Sequence, residues 1–416
     1  MTQHLAVLLS GVHVADVERT RTGVLRLRYL DTATTPLSLS LPPTTPTHTG
    51  PRVEQFLRAL LPDAPGTLRA VADRSGADAT DPLSLLAVVG ADCPGAVQLC
   101  PPDQVEATAH RPGALVACTD AEIEARLAAL GMSEDASWLM PGEHWSLGGT
   151  QAKFALRRHD GRWYVAHGSQ ATTHIVKPGV RALAHQALVE HVSMRAAAHL
   201  GLSVAHTEMT SFLTEDALVV TRFDRAVQPD QTVRRLHQED ACQALGVWQK
   251  YEEYGGPSAA DVVALLRDRS RTASQAQANV EQFTDGLIVN TVLGAPDAHA
   301  RNYAVLLDGA DVRLAPLFDL ASGLAYDRNP ANPLVGSMSI GGTFALAAVD
   351  AAAWRRFADQ VELDETWVLD RVHALAEAAP SAVEQALDET DTDGTDELRT
   401  RLLPRLREHV TNLGTE

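Results

Sequence analysis

Cysteine is scarce in this chain of 416 residues, which carries four cysteines and no C-x-x-C pair. They are Cys93, Cys100, Cys118 and Cys242. A disulfide-stapled secreted domain or a cysteine-based zinc module needs more of them at closer spacing. We therefore expect reduced thiols and a cytoplasmic protein.

Long apolar runs are also missing. No stretch reaches the roughly twenty apolar residues that a helix needs to cross a bilayer, so no membrane partner is expected. The short run from Leu5 to Leu9 has no basic residue before it and ends at Ser10, within an alternating pattern typical of a strand. A secretory signal is therefore not expected either.

Positive charge is in deficit, because 35 Lys and Arg residues face 53 Asp and Glu residues, for a net charge of −18. Proteins that bind nucleic acids on their own depend on neutralising phosphates with basic side chains. The composition therefore argues against autonomous binding, and any DNA contact is expected to be indirect, through a partner protein.

The chain is long enough for two or three domains. Three short strand patterns followed by amphipathic helices predict a small α+β module over residues 1–108. A charged helix then dominates residues 109–142, which we interpret as a solvated connector. Residues 143–225 are rich in strand patterns, whereas residues 226–416 are mostly helical.

The segment LIVNTVLGAPDAHARNYAVLLDGADVRLAPLFDLAS, residues 287–322, carries an acidic constellation. Asn302 follows Asp297 by five positions, and Asp319 comes after a turn-rich interval. Protein kinases use an Asp at this spacing from an Asn to orient the substrate hydroxyl, and a further Asp to hold metal. Because Asp and Asn are also common in ordinary loops, the spacing alone is weak.

Four residues of the β-rich block could complete such a site. Gly148 and Gly149 precede a strand pattern and can let backbone amides approach phosphates, although a plain turn is the simpler alternative. Further along the chain, Lys177 ends a strand pattern, THIVKP. Glu190 lies within the helical pattern that follows it. They could form the Lys–Glu ion pair of kinases, or be a surface lysine and an exposed helix carboxylate.

Several longer segments occur in a fixed order: SLGGTQAKFAL, HIVKP, TRFDR, HQEDACQALG, GAPDAHARNYAVLL and LAPLFDLAS, preceded by PLSLSLP and GADCPGAVQL. With them the chain resembles the HipA family of serine/threonine kinases, the toxins of bacterial toxin–antitoxin pairs, over nearly its whole length. The resemblance implies an α+β, bilobal kinase-like fold, with a β-rich N-lobe bearing the N-terminal module and a mainly helical C-lobe.

The resemblance also implies ATP and Mg²⁺ as cofactors and gives the acidic residues roles. Asp297 would be the catalytic base, and Asn302 would act beside it while binding Mg²⁺ together with Asp319. His299 would shape the catalytic loop, with packing as the equally weighted alternative.

On the nucleotide side, the resemblance implies that Lys177 contacts the phosphates with Glu190 as its partner. Arg222 and Phe223 would present backbone to the adenine, and Asp224 would reach the ribose.

The phosphate loop implied by the resemblance contains Gly148, Gly149, Gln151 and Lys153. Ser146 falls where the family's loop carries a serine that the kinase autophosphorylates, which ejects the loop and switches the enzyme off.

Two positions depart from the expected pattern. Thr221 stands where the family often has Glu, which puts a side-chain role there in doubt. Pro296 immediately precedes Asp297, and we expect it to end the preceding helix and to brace the loop.

The function implied by the resemblance is phosphorylation of a protein, such as a glutamyl-type aminoacyl-tRNA synthetase, with growth arrest as the outcome. A small antitoxin of HipB type would be the partner and would mediate any DNA contact. Two alternatives stay open: an antitoxin-binding co-repressor with a vestigial site, and a small-molecule phosphotransferase that shares the acidic constellation.

Overall fold

The computed structural model describes residues 4–110, 113–132, 139, 143–327 and 333–413. Three large hydrophobic cores organise them, one each in the N-terminal module, a β-rich lobe and a helical lobe. The chain is thus an α+β protein with a bilobal kinase-like fold. In the described part of the chain, no helix combines the length and the apolar character needed to cross a bilayer.

The N-terminal module is a five-stranded antiparallel sheet in the order β4-β3-β2-β1-β5, covered by helices. Leu5 and Val7 of β1 face the main core, whereas Ala6 and Leu8 face a smaller cluster on the opposite side. This alternation is the period of two that a strand imposes on its side chains. The elements are β1 (His4–Leu9), β2 (Val12–Arg19), β3 (Leu25–Tyr29), β4 (Thr47–Thr49), α1 (Pro51–Ala59), α2 (Pro65–Ser75), α3 (Pro82–Val89), β5 (Val97–Cys100) and α4 (Val105–His110).

The N-lobe is a six-stranded sheet in the order β10-β11-β9-β7-β8-β6. Helix α6 packs against β10 and β11 and also reaches the helical lobe. The elements are β6 (Ala114–Ala117), α5 (Asp120–Met132), β7 (Phe154–His159), β8 (Arg162–His167), β9 (His174–Lys177), α6 (Gln186–His199), β10 (Thr207–Phe212) and β11 (Glu215–Thr221).

The interpretation of residues 109–142 as a solvated connector is wrong. Strand β6 pairs with β8, and α5 buries Ile123, Leu127 and Leu130 in the core of the N-lobe. These residues lie three and four positions apart and so form one apolar stripe on the helix. Most of the described connector is therefore part of the lobe. Outside the described residues lie 111–112, 133–138 and 140–142.

The C-lobe is built around α9, a mostly buried helix that contacts α8, α11 and α12. The side chain of Thr272 caps its first turn by accepting from the backbone of Gln275. The elements are β12 (Arg225–Val227), β13 (Val233–Arg235), β14 (His237–Asp240), α7 (Ala241–Leu245), α8 (Ala259–Arg269), α9 (Ala273–Val292), β15 (Ala304–Asp308), β16 (Asp311–Leu314), β17 (Val335–Ile340), β18 (Thr343–Ala345), α10 (Ala351–Gln360), α11 (Glu365–Asp388) and α12 (Thr395–Leu413).

Buried ion pairs attach the N-terminal module to the segment that joins the two lobes. Asp92 pairs with Arg225 at 2.9 Å and with Arg235 at 3.1 Å, and it accepts a hydrogen bond from the hydroxyl of Thr172 at 2.7 Å. Burial alone would raise the pKa of Asp92, but the arginines outweigh it and hold that pKa below its ordinary range.

The module also meets the C-lobe through buried hydrogen bonds at β14. The backbone N–H of Leu39 donates to Glu239 at 2.7 Å, and a ring nitrogen of His237 lies 3.1 Å from the carbonyl oxygen of Leu37. Glu239 is fully buried, and burial raises its pKa to about 8. At neutral pH this carboxyl group is therefore mostly protonated.

Candidate active site

A cavity of about 630 Å³ lies between the two lobes and is also lined by the N-terminal module. It collects nearly all the candidate residues, although they come from distant parts of the chain. Those that line it are Gly148, Gly149, Gln151, Lys153, Lys177, Glu190, Arg222, Phe223, Asp224, Asp297, His299, Asn302 and Asp319.

An ionic cluster stands at one end of the cavity. Lys177, the last residue of β9, donates to Glu190 of α6 at 2.6 Å and to Asp319 at 2.5 Å. Lys177 and Glu190 are both buried. Burial would lower the pKa of Lys177, but the two carboxylates outweigh it and raise that pKa. The ammonium group is therefore charged at physiological pH.

The backbone of Asp319 adopts a left-handed conformation, with φ of 59°. Such a conformation is uncommon for a residue other than glycine and often marks a functional site. Burial would raise the pKa of Asp319, but Lys177 and Lys153 outweigh it and hold that pKa below the ordinary range. A carboxylate ionised and fixed in this way is suited to binding a cation.

The glycine-rich loop lies above this cluster. Gly149 has φ of 93°, a conformation that favours glycine over residues with a Cβ atom. Lys153 donates to the carbonyl oxygen of Gly148 at 2.9 Å. Burial and the neighbouring Lys177 lower the pKa of Lys153 to about 8. The loop therefore holds a second cation near the place where phosphates would lie.

Ser146 does not line the cavity, and its direct contact with nucleotide stays a prediction. The residue is buried, and its hydroxyl donates to the carbonyl oxygen of Leu60 in the N-terminal module. Gln151, further along the loop, does line the cavity and donates to Gln186 at the start of α6 at 2.8 Å. The loop is thus anchored on both sides.

Asp224 lines the cavity, and its carboxylate has partners on both oxygens. One of its carboxylate oxygens accepts from Arg222 at 3.0 Å, and the other accepts from the backbone N–H of Gly95 at 2.7 Å. These buried partners connect Asp224 to the N-terminal module, and its contact with a ribose stays a prediction. Phe223 packs its ring against Phe318, with 5.4 Å between centroids, and lines the cavity.

Helix α9 ends before the catalytic loop, at a glycine rather than at the proline. Gly294 has φ of 61°, and a Cβ atom there would meet Leu324 at 2.7 Å. Pro296 follows, and its carbonyl oxygen accepts from the backbone N–H of Ser337 at 3.0 Å and from its hydroxyl at 2.8 Å. The residue before Asp297 is thereby fixed to β17.

The loop from Asp297 to Asn302 folds back on itself. The side-chain amide of Asn302 donates to the backbone carbonyl of Asp297 at 2.7 Å. The backbone N–H of Asn302 donates to the backbone carbonyl of His299 at 2.8 Å. The Asp297 side chain is 64% exposed. Burial of its surroundings raises its pKa, while Lys250 and Tyr251 oppose the shift, and the exposure moderates both effects.

His299 is a buried ring beneath the loop. Its ring packs edge-on against that of Tyr251, with 5.3 Å between centroids, and one ring nitrogen lies 3.9 Å from a carboxylate oxygen of Asp297. Burial and the charge of Lys250 lower its pKa to about 4, so the ring is neutral at pH 7. These contacts agree with a role in shaping the loop.

Sequence reasoning missed Lys250 and Tyr251. The hydroxyl of Tyr251 donates to a carboxylate oxygen of Asp297 at 3.0 Å, and the ammonium of Lys250 lies 5.0 Å from the centre of the Tyr251 ring. Neither residue belongs to a periodic pattern. The rarity of lysine in the chain was the available signal for Lys250.

A bridge from the N-terminal module was missed as well. Asp63 pairs with Arg301 of the catalytic loop at 2.7 Å, while its backbone N–H donates to the carbonyl oxygen of Gly149 at 2.9 Å. One residue of the module thus contacts both the glycine-rich loop and the catalytic loop. No local pattern predicts a contact between residues so far apart in the chain.

The residues present fit a nucleotide with a hard divalent cation. Among the described residues, no group of three His, Cys, Asp or Glu side chains could hold a metal alone. Asn302 and Asp319 nevertheless both line the cavity. Mg²⁺ usually takes only one or two protein oxygens and completes its shell with water and phosphate oxygens. The cavity can thus place a phosphate chain between the cationic end and the exposed carboxylate of Asp297.

Comparisons with known proteins identify the family of the chain. The model of the HipA N-terminal domain matches residues 5–100, and the model of the HipA-like C-terminal domain matches residues 145–383. The candidate kinase Y4mE of Sinorhizobium fredii is 35% identical over 368 residues, which cover 86% of this chain and 85% of that protein.

The serine/threonine-protein kinase toxin HipA of Shewanella oneidensis is 28% identical over 400 residues, or 89% of this chain and 87% of that protein. A chain of the solved Shewanella oneidensis complex of HipA, HipB and operator DNA superposes with a TM-score of 0.80 and 24% identity. The superposition covers 99% of this chain and 100% of that chain. The predicted resemblance is confirmed, and the chain belongs to the HipA family of kinases.

Proposed function

We propose that this protein is the kinase toxin of a toxin–antitoxin pair and transfers the γ-phosphoryl group of ATP, with Mg²⁺, to a serine or threonine of another protein. One observation carries the proposal. The ionic cluster of Lys177, Glu190 and Asp319 shares a single cavity with the exposed carboxylate of Asp297. Charge for the phosphates and a group for the acceptor hydroxyl therefore lie together.

The cationic end would bind and orient the nucleotide. Phe223 and the backbone of Arg222 would contact the adenine, and the amides of Gly148 and Gly149 would approach the phosphates. Lys177 would hold the phosphate chain, with Glu190 fixing the position of its ammonium group. These interactions lower the barrier because they are oriented before charge develops in the transition state.

The acceptor end would prepare the hydroxyl. Asn302 and Asp319 would hold Mg²⁺, which when bound supplies neutralising charge to the phosphates. Asp297 would accept the hydrogen bond of the incoming hydroxyl and take up its proton as the bond to phosphorus forms. Its exposure supports this role, because a side chain of another protein must reach it.

The partners that we propose follow the named relatives. The Shewanella oneidensis relative is named as a kinase toxin, and its solved complex contains HipB and operator DNA. We infer a small HipB-type antitoxin for this chain, with DNA contacted through it, in keeping with the net charge of −18. An aminoacyl-tRNA synthetase of glutamyl type is the proposed target, with growth arrest as the consequence.

We also infer that phosphorylation of Ser146 switches the kinase off. The buried hydroxyl contacts Leu60, so a phosphate of roughly two negative charges could not stay there. The loop would have to leave its place above the phosphate-binding end. Mass spectrometry after incubation with MgATP is expected to find phosphate on Ser146. An active kinase whose Ser146 stays unmodified argues against the switch.

The decisive experiment is radiolabelled ATP with host lysate, followed by identification of the labelled species. The wild type is expected to label a protein band, and Asp297→Asn to lose about 10³-fold in rate while still binding nucleotide. Asp160→Asn, an exposed control on the β7–β8 turn, should behave as the wild type. An Asp297→Asn protein that transfers phosphate at the wild-type rate would contradict the mechanism.

Other outcomes would identify the alternatives. Nucleotide binding without any transfer by the wild type would favour a co-repressor with a vestigial site. A labelled metabolite in place of a labelled protein would favour a small-molecule phosphotransferase.

A further inference from the structure

The distribution of lysine in this chain is unusual. Only three of its 35 basic residues, counting Lys and Arg, are lysines: Lys153, Lys177 and Lys250. All three line the same interlobe cavity, and every other Lys-or-Arg position is an arginine. Lysine therefore occurs in this chain only at the candidate active site.

Arginine and lysine differ in ways that matter in such a cavity. The guanidinium is a planar fork that suits fixed ion pairs, whereas the ammonium is a compact charge on a flexible chain. The arginines of the cavity follow this division, since Arg222 pairs with Asp224 and Arg301 pairs with Asp63. The three lysines are thus the compact cations of the cavity, whereas Arg222 and Arg301 are held in ion pairs.

Two of the lysines already have a place at the phosphate end. Lys177 contacts Glu190 and Asp319, and Lys153 contacts the glycine-rich loop. Lys250 is different, because it comes from the C-lobe segment between α7 and α8 and lines the cavity beside the catalytic loop. Its place in the chain was not explained by any motif.

The basic residues of the catalytic loop itself, Arg301 and His299, offer no free cation. Arg301 pairs with Asp63 and stacks on the ring of Trp248, 4.4 Å from its centre. His299 is a buried ring. A protein kinase needs positive charge on the transferring phosphoryl group as well as on the phosphates that stay behind. The loop itself does not supply that charge at the acceptor end.

Lys250 has the environment that this task requires. It is half-buried, and within the described ranges its ammonium makes no hydrogen bond or ion pair, but lies 5.0 Å from the centre of the Tyr251 ring. The hydroxyl of that tyrosine donates to Asp297 at 3.0 Å. The ammonium is thus held near the proposed base without being neutralised by it.

We propose that Lys250 is a catalytic residue whose ammonium binds the γ-phosphoryl group during transfer, from the side of the acceptor. The inference rests on the proposed phosphoryl transfer. The acceptor oxygen forms a bond to the γ-phosphorus as the bond to the bridging oxygen of ADP breaks. The hydroxyl proton passes to Asp297, and Lys250 keeps its proton throughout, offsetting the charge on the equatorial oxygens.

The first test compares Lys250→Met and Lys250→Arg with the wild type. For Lys250→Met we expect kcat to fall about 100-fold, with the Kd for nucleotide changed less than about threefold, because the contact strengthens in the transition state. Lys250→Arg should recover part of kcat. The exposed control Arg313→Met, whose side chain is 69% accessible, should match the wild type. A wild-type kcat for Lys250→Met overturns the proposal.

The second test uses the wild-type protein and does not depend on activity. Acetylation with an N-hydroxysuccinimide ester can be followed at each lysine by mass spectrometry, since there are only three. We expect the magnesium complex of the non-hydrolysable analogue AMP-PNP to slow acetylation of Lys250 at least fivefold more than MgADP does, because only the analogue carries a γ-phosphate. Equal protection by both nucleotides overturns the proposal.

The two hypotheses fail in different ways. A wild-type protein that binds nucleotide but labels nothing contradicts the proposed function and this inference with it. An active wild type together with an active Lys250→Met variant contradicts this inference alone.

Discussion

The two ends of the interlobe cavity are built in opposite ways. At the phosphate end, Lys177 contacts two carboxylates, and Lys177 and Glu190 are shielded from water. At the acceptor end, Asp297 is 64% exposed and accepts a hydrogen bond from the hydroxyl of Tyr251. The difference shows that one end is assembled before substrates arrive, whereas the other is left open.

This division suits a kinase that acts on proteins. Buried charges with fixed partners need no reorganisation when the nucleotide binds, so they stabilise the charge that develops in the transition state. The acceptor end must admit and release a side chain of another protein, which a buried ion cluster would prevent.

Removing the cation from the phosphate end is expected to have the largest effect. Lys177→Met should lower kcat/KM by about 10³-fold or more and weaken nucleotide binding, because the phosphates lose their fixed positive charge. It should also lower the free energy of unfolding by roughly 3 kcal/mol, since Glu190 would be left buried without a partner. Steady-state kinetics, nucleotide titration and denaturant unfolding measure these effects.

The double variant Lys177→Met/Glu190→Gln separates the two losses. We expect it to regain much of the stability but none of the activity, because the amide removes the unpaired charge without restoring the cation. Recovery of activity in the double variant would contradict a phosphate-binding role for Lys177.

How far the sequence predicts this site depends on how local each signal is. Two signals can be read directly from neighbouring positions in the sequence: the spacing of Asp297 and Asn302, and the order of the motifs. For this reason the fold and most cavity residues could be anticipated. Tyr251 and Asp63 could not, because each reaches the catalytic loop through tertiary contacts only. Asp224 lies in a familiar motif, yet one of its partners, the backbone N–H of Gly95, comes from the N-terminal module.

Two buried glutamates differ in whether an ion-pair partner accompanies them. Glu190 is paired with Lys177, whereas Glu239 is equally buried and, in the described part of the chain, has no ion-pair partner. Burial raises the pKa of Glu239 from 4.5 to about 8, so the folded protein binds one more proton than the unfolded chain between those pH values. The free energy of unfolding should therefore fall as the pH rises through this window.

Glu239→Gln is expected to remove this pH dependence. The amide can still accept from the backbone N–H of Leu39 and does not ionise, so the variant should be more stable than the wild type by roughly 2 to 4 kcal/mol at pH 8. Near pH 4.5 the two proteins should be similar. Thermal unfolding between pH 4.5 and 8 measures the difference, with exposed Glu253→Gln as the control. Parallel stability curves for wild type and Glu239→Gln would show that Glu239 is ionised in the folded protein.

The smallest effect is expected at the open end of the cavity, where Tyr251→Phe removes one hydrogen bond and keeps the ring beside Lys250 and His299. A single hydrogen bond to a charged but exposed group is worth about 1 kcal/mol, so kcat should fall about fivefold, with KM for ATP unchanged. Steady-state kinetics should show no change for Tyr254→Phe, a control whose side chain is 67% exposed. A loss of activity as large as that of Lys177→Met would mean that Asp297 depends on a fixed partner, as Lys177 does. The two ends of the cavity would then not differ in the way described above.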